Sequence, residues 1–549
     1  MKLNQWKVKS DSMAKSTWSR PPQAHRRLQT TRAMRTVWIG AALLAVPLMT
    51  AVTRFGANPH ERVGFLSGLG VANANPPPAG ASVGSSPGLA SATRAISSKT
   101  LANGMQVIAV PDHDLPLVTV EIAVHNGAFT EPPEINGLSH LYEHMFFKGN
   151  RGFPNQKSFL HRVHALGMVF DATTGEDVVT YYFTMRRSHL TDSLAIMRDA
   201  LLTPKFDPNQ LNKERKVVLA EYDRAEARPM FHLRRAVDHA LWYKYWSRKN
   251  PLGNRTVVST ATVQQMRTIQ NKYYQPSNTA LIIAGDVTPN EVFRLAQKTF
   301  GGWRGHPVQL PTFEHPALSG HKVLFVPRPV KTVTILIGMQ GPALSTDRAS
   351  TYVADVLSFA VNQRTSLFQK RLVRSGLALY ASLMYLTTSH KGPIYLFLRA
   401  APDKARKATA LALSMLRNLD RPDMLTDRDI ATAKTLLAVR EIYNREKTSE
   451  FSHLLAHWWG TAGLSYYLHY VDKLRKVTRS DITRYLTRYV KHSPKVVGVM
   501  ASNEVLKNQM WTQKAVMSLL APLSVPNGTE STARTKPAPV KTRKARSNP

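Results

Sequence analysis

Residues 137–149 read Gly137-Leu-Ser-His140-Leu-Tyr-Glu143-His144-Met-Phe-Phe-Lys-Gly149. From Gly137 to Phe147 the apolar residues fall at helical spacing, which predicts a helix. On it His140 and His144 stand at i and i+4, so both imidazoles leave one face about 5–6 Å apart at Cβ. That separation lets two ring nitrogens reach one zinc ion at about 2.0–2.1 Å. Glu143 stands beside His144 and three residues after His140, placed to face a metal-bound water instead of the metal. A carboxylate there takes a proton from such a water and later passes it to a leaving amine.

A catalytic zinc site of this kind uses three protein ligands and keeps a fourth position open. The segment 209–226 reads as a helix and offers Glu214, Glu221, Asp223 and Glu226. Glu214 and Glu221 are seven apart, two turns along one face, so one can bind metal while the other supports the site. Five-residue motifs also arise by chance, so the motif alone leaves a surface or core role for the two histidines open.

Around these two helices the chain alternates strand and helix. Strands are predicted at 106–110, 117–124, 178–185 and 280–285, and helices at 156–166, 190–202 and 289–300. A Pro-rich stretch, 304–321, follows. Beyond it the order repeats: strands at 322–326, 332–338, 378–386, 393–399 and 495–501, with helices at 347–361, 365–375, 404–418, 426–445, 449–463 and 479–490. The expected fold is α+β: two similar half-domains, each a mostly antiparallel sheet with helices on one face. The division expected is a catalytic first half over 98–303, a linker over 304–321 and a second half over 322–518 without the motif.

The chain has 549 residues and no cysteine, which removes disulfides, thiol catalysis, iron–sulfur clusters and Cys-based zinc sites. Lys and Arg number 73 against 36 Asp and Glu, a formal charge of +37. The first 32 residues and the last stretch carry part of this excess, and the body keeps about +25. The excess is spread along the chain, as a solvated surface is, and no nucleic-acid-binding module accompanies it. Residues 1–35 form a basic arm, with Met34 a possible later start that would make 1–33 an over-long beginning. Residues 36–53 are free of charge and read as a signal peptide or signal anchor, hence a possible membrane tether. A mitochondrial transit peptide is the competing reading of the arm. Residues 54–97 form a Pro/Gly/Ser-rich linker, and 519–549 a basic tail expected to be disordered.

Several stretches resemble the pitrilysin (insulinase-like) family of zinc metallopeptidases, whose motif is the inverted H-x-x-E-H. Leu101–Ile108 resembles the family's opening strand, 137–149 its active-site helix, and Phe170–Asp177 with Tyr181-Tyr182 its substrate-holding strand. Glu214–Glu221 resembles the third-ligand helix, 273–278 and 285–287 the close of the first half, and Leu367–Tyr380 part of the second. The resemblance implies His140, His144 and Glu221 as ligands of one zinc per chain. It implies Glu143 as general base, Glu214 as a supporting carboxylate, and Asp171 and Ala172 as hydrogen-bonding partners of a peptide lying as an added edge strand. Asp171 departs from the family's usual Asn.

The implied activity is endopeptidase cleavage of unfolded peptides. The alternative is a silent or partner-dependent subunit of a processing complex. A homodimer, or a heterodimer with a related subunit lacking the motif, is implied; export to the bacterial periplasm or cell envelope is what residues 36–53 lead one to expect. Relatives also grip substrate with an Arg and a Tyr from the second half; Arg399 and Tyr395 lie in a comparable region here, but at a different spacing.

Overall fold

The structure, a computed structural model, describes residues 96–313 and 315–520. The expectations for the basic arm, the apolar segment 36–53, nearly all of the 54–97 linker and the tail from 521 therefore lie outside the described residues.

Strands β1 (Ser97–Thr100), β2 (Gln106–Pro111), β3 (Leu117–Val124), β4 (Val169–Thr174), β5 (Val179–Arg186) and β6 (Thr279–Gly285) form one sheet in the order β1-β2-β6-β3-β5-β4. Strands β7 (Lys322–Pro327), β8 (Val333–Ala343), β9 (Tyr380–Tyr385), β10 (Lys391–Ala400) and β11 (Val496–Ala501) form a second, ordered β7-β11-β8-β10-β9. The second order is that of the first with β1 removed. In each sheet one pair is parallel, β2–β6 and β7–β11, and the rest are antiparallel. Each parallel pair joins an early strand of its half, β2 or β7, to the closing one, which needs a long crossover, and the helices supply it.

The longer helices are α1 (Leu138–Phe146), α2 (Gln156–Ala165), α3 (Leu190–Leu202), α4 (Pro208–Glu226), α5 (Pro229–Trp242), α6 (Val263–Tyr273), α7 (Pro289–Phe300), α8 (Arg348–Asn362), α9 (Pro402–Arg417), α10 (Asp427–Tyr443) and α11 (Thr448–Ala462). Alternation along the strands sends Val107, Ala109, Val120, Ile122 and Phe183 to one face of the first sheet, where Leu141 and Met145 of α1, Met197 of α3 and Val292 of α7 cover them. The second sheet is covered likewise by α8, α9 and α10. Each fully buried Leu, Val or Phe here contributes about 1.5–3 kcal/mol.

The opposite faces are covered by exchange. Ile108, Val110, Ala123 and Ile282 of the first sheet pack against Phe451, Leu455, Ala456 and Trp459 of α11, which belongs to the second half. Leu336, Tyr395, Val496 and Met500 of the second sheet pack against Leu233, Val237, Leu241 and Trp242 of α5, from the first half. Close approach fixes two glycines. A Cβ at Gly498 would stand 2.5 Å from Val237, and one at Gly460 2.4 Å from Val178.

The helices α5 and α6 are additions to the elements read from the sequence. The segment expected as one helix at 365–375 is a single α-turn, Leu367–Gln369, running into a π-helix, Lys370–Arg374. The helix Gln513–Leu520 and strand β1 carry ordered backbone slightly past 518 and before 98.

Candidate metal centre

Helix α1 enters from a loop that caps it with a side chain from outside. The buried Glu131 carboxylate accepts the main-chain N–H of Gly137 at 2.7 Å and of Ser139 at 2.6 Å. This satisfies two of the donors a helix start leaves free, with an acceptor at the positive end of the dipole. Leu141, Tyr142 and Met145 anchor the helix in the core. With that face fixed, His140 and His144 turn toward α4, which starts on an Asp207 cap bonded to the Gln210 N–H.

There the histidines meet Glu221. His140 Nε2 lies 3.4 Å from Glu221 Oε2, and His144 Nε2 lies 3.7 Å from the same oxygen. The two rings are 5.0 Å apart, edge to face. Among the described residues these three form a group whose donor atoms all lie within 4.8 Å of one another. Two ligands bound at about 2.0–2.1 Å to a tetrahedral ion stand about 3.3–3.4 Å apart, so the spacing fits a zinc with little adjustment.

The remaining carboxylates divide as their surroundings dictate. Glu214 Oε2 lies 3.2 Å from His144 Nδ1, a contact that in the neutral ring favours the proton on that nitrogen and turns Nε2 toward a metal. Lys148 Nζ pairs with the other Glu214 oxygen at 2.8 Å. Burial works to raise Glu214, but His144 and Lys148 outweigh it and hold the carboxyl below its usual range. Glu221 is also depressed, burial being overcome by the two histidines. Burial raises Glu143, with His140, His144 and a hydrogen bond from the Thr174 hydroxyl pulling it back only in part. A carboxylate raised above its ordinary value, beside the converging groups and not among them, is placed to take up a proton and give it back.

His144 is raised to about 9: burial lowers it, and the hydrogen bonds and charge of Glu214, Glu221 and Glu143 more than reverse that. Without metal, then, the ring carries a proton that a metal ion must displace. Below about pH 9 the affinity for zinc is therefore expected to fall roughly tenfold for each unit of acidification. Titration against a chromophoric chelator at several pH values checks this, and an affinity flat between pH 6 and 8 would refute it.

Strand β4 carries the other expected residues. It pairs with β5 alone, at the end of the sheet order, and so presents an open edge. Ala172 and Thr174 are buried on one face, and Asp171 is exposed on the other. The Asp171 carboxylate accepts the Ala172 main-chain N–H at 2.9 Å. Tyr395 lies between the second sheet and α5, its hydroxyl donating to Asp238 and its ring 5.0 Å from the Arg234 guanidinium. Arg399 is exposed near the C-terminal end of β10.

Sequence models agree with this arrangement. That of Insulinase (Peptidase family M16) matches residues 106–257, and that of the Peptidase M16 inactive domain matches residues 260–437. Together they take in more than half of the chain. The chain belongs to the insulinase family. Within it, the "Zinc protease PqqE" of Helicobacter pylori is 23% identical over 407 residues, spanning 72% of this chain and 90% of that one. An uncharacterized zinc protease, YmxG, of Bacillus subtilis is 22% identical over 64% of this chain and 84% of its own length. The insulin-degrading enzyme of Bos taurus is 27% identical over 42% of this chain, and the match spans only 24% of that longer protein. Among solved structures, a protease from Helicobacter pylori superposes with a TM-score of 0.68 at 22% identity, over 74% of this chain and all of that one. The first half of the periplasmic protease PqqL from Escherichia coli gives 0.65 at 18% identity, over 77% and 96%. The insulinase family models meet at residues 257–260, whereas the first sheet takes its strand β6 from further on, Thr279–Gly285.

Proposed function

We propose that the protein is a zinc-dependent endopeptidase acting on unfolded peptides. The observation that carries this reading is the convergence of His140, His144 and Glu221 with the buried Glu143 beside them. A bound zinc would be held by the two Nε2 atoms and Glu221, one ion per chain, and would supply a Lewis acid that lowers the pKa of water. His144 is oriented by Glu214, and Glu214 by Lys148. Glu143 accepts the proton of the attacking water and returns it to the leaving amine. Thr174 steadies the carboxylate oxygen that does this.

The peptide lies along the open edge of β4, its backbone extending the ladder. To pair with the Ala172 N–H it displaces the Asp171 carboxylate, and unfolded segments meet that requirement where folded ones do not. The fit is to a chain exported to the bacterial periplasm or cell envelope, with residues 36–53 as signal or tether. No helix among the described residues is long and apolar enough to cross a membrane.

A second reading, a silent or partner-dependent subunit, draws on the second half, whose matched family model is the inactive domain. In that reading the Arg and Tyr that grip substrate come from a partner, either a second copy or a related subunit without the motif. One experiment separates the two readings. Protein beginning at residue 75 is given a quenched, unstructured peptide, with metal counted in the same sample. Cleavage that a chelator abolishes and zinc restores, at about one zinc per chain, is the expected result. Zinc bound without cleavage would favour the partner-dependent reading, and no zinc would sink both the metal site and the peptidase.

A further inference from the structure

The second half touches the metal centre at one remove. Thr174, the hydroxyl donor to Glu143, is the last residue of β4, and residues 175–178 turn the chain into β5. That turn is gripped from the other half. The Asp177 carboxylate accepts the Ser389 main-chain N–H at 3.1 Å and, through its second oxygen, the Ser389 hydroxyl. Next to it Glu176 pairs with Lys249 at 2.7 Å, and the same Lys249 ammonium donates to the Thr388 hydroxyl at 3.3 Å. Thr388 and Ser389 form the turn between β9 and β10. They are tethered in turn, since Leu344 N–H donates to the Thr388 carbonyl at 3.3 Å and Ser345 N–H to the Ser389 carbonyl at 3.0 Å. One hairpin tip of the second sheet thus holds one hairpin tip of the first.

We propose that Asp177 and Ser389 are positioning residues: through them the half without the motif sets the alignment of β4, and with it both Thr174 under Glu143 and the edge on which the peptide lies. This rests on the peptidase reading above. The three expected ligands stand on α1 and α4, and none stands on β4. The clamp therefore acts on substrate and on the proton-transferring carboxylate, and it leaves metal binding alone. A contact that merely glued the halves together would lower stability without separating these two effects.

The test uses the full chain with Asp177→Ala, Ser389→Ala and Asp177→Asn. Amide hydrogen exchange over residues 169–174, zinc affinity by chelator competition, and KM and kcat on the quenched peptide are measured for each. Both alanine variants are expected to speed exchange in that segment by about tenfold, as the loss of hydrogen bonds between Asp177 and Ser389 implies. KM rises several-fold with zinc affinity unchanged. Asp177→Asn stays near wild type, because the amide oxygen still accepts the Ser389 N–H and the hydroxyl rotates to accept from the amide nitrogen. Unchanged exchange in both alanine variants would overturn the proposal, and so would a loss of zinc affinity in step with KM. If the wild type cleaves no peptide, the peptidase reading fails on its own, while the exchange rates still decide whether the clamp holds β4. Ser389→Ala removes only a hydroxyl and keeps the test open should Asp177→Ala fail to fold.

Discussion

Glu143→Gln is expected to keep its zinc and lose peptide hydrolysis by roughly 10²–10⁴-fold, the range of a general base. The substitution is nearly isosteric, and the amide oxygen still accepts the Thr174 hydroxyl, so β4 keeps its place. None of the donor atoms that converge belongs to Glu143. What changes is that an amide cannot take up the proton of the attacking water. The loss should fall on kcat, with metal content and melting temperature close to wild type. Activity retained in the variant would remove Glu143 from the mechanism, and zinc lost in parallel would recast it as a ligand.

The second large effect concerns the interface between the halves. Glu121 is fully buried in the middle of β3, and its Oε2 is met by His453 Nδ1 at 2.7 Å and by the Ser452 hydroxyl at 2.8 Å. Both partners come from α11, the helix lent by the second half. The His453 ring also packs on Tyr182 of β5, 4.0 Å away. Glu450 and Lys447, on its own helix segment, act on it with opposite signs. Burial lowers His453, but Glu121 reverses this and leaves it above its ordinary value. His453→Ala strands a carboxylate in the sheet, which costs roughly 3–5 kcal/mol. Because the folded pKa is the higher one, this stabilisation is complete below about pH 6.5 and is lost as pH rises through the folded value. Denaturant melts of wild type and variant should therefore differ most below pH 6.5 and converge in alkali. A difference that grows with pH would refute the assignment. Replacing both Glu121 and His453 by leucine should recover most of the loss.

The part of the site carried by local spacing was legible. His140, Glu143 and His144 share one helical face, and Glu214 and Glu221 share another, so periodicity alone nominated them. Their convergence across 77 residues was not visible from spacing and came from resemblance. Thr174, Lys148 and Glu131 were missed because each acts through a contact outside its own element. A Thr ending a strand and a Lys after a helix carry no local mark of such a role. Helix α5 had a readable signal in Pro229 at its start and Leu233, Val237 and Leu241 at i, i+4 and i+8. Helix α11 was foreseen as a helix, yet its stripe of Phe451, Leu455 and Trp459 looks like any amphipathic stripe. Nothing in the stripe says that the surface it covers lies far back in the chain, on the other sheet. The mostly antiparallel sheets were expected from the order of the elements, but strand order is set by the crossovers.

The traded helices α5 and α11 bear on what would count as a separable part of this protein. Severing the chain within 304–321 would yield two polypeptides that travel as one particle, since each still lies across the other's sheet. Expressed apart, each would expose the sheet face its counterpart had covered, and each would carry a helix with nowhere to lie. A graft that replaces the first half by that of a relative must bring a matching α11, or remodel it, because Gly460 and the surface around Val178 are shaped to one another. Inheritance would then favour passing the pair on intact, and the half without the motif stays indispensable to the one that carries it.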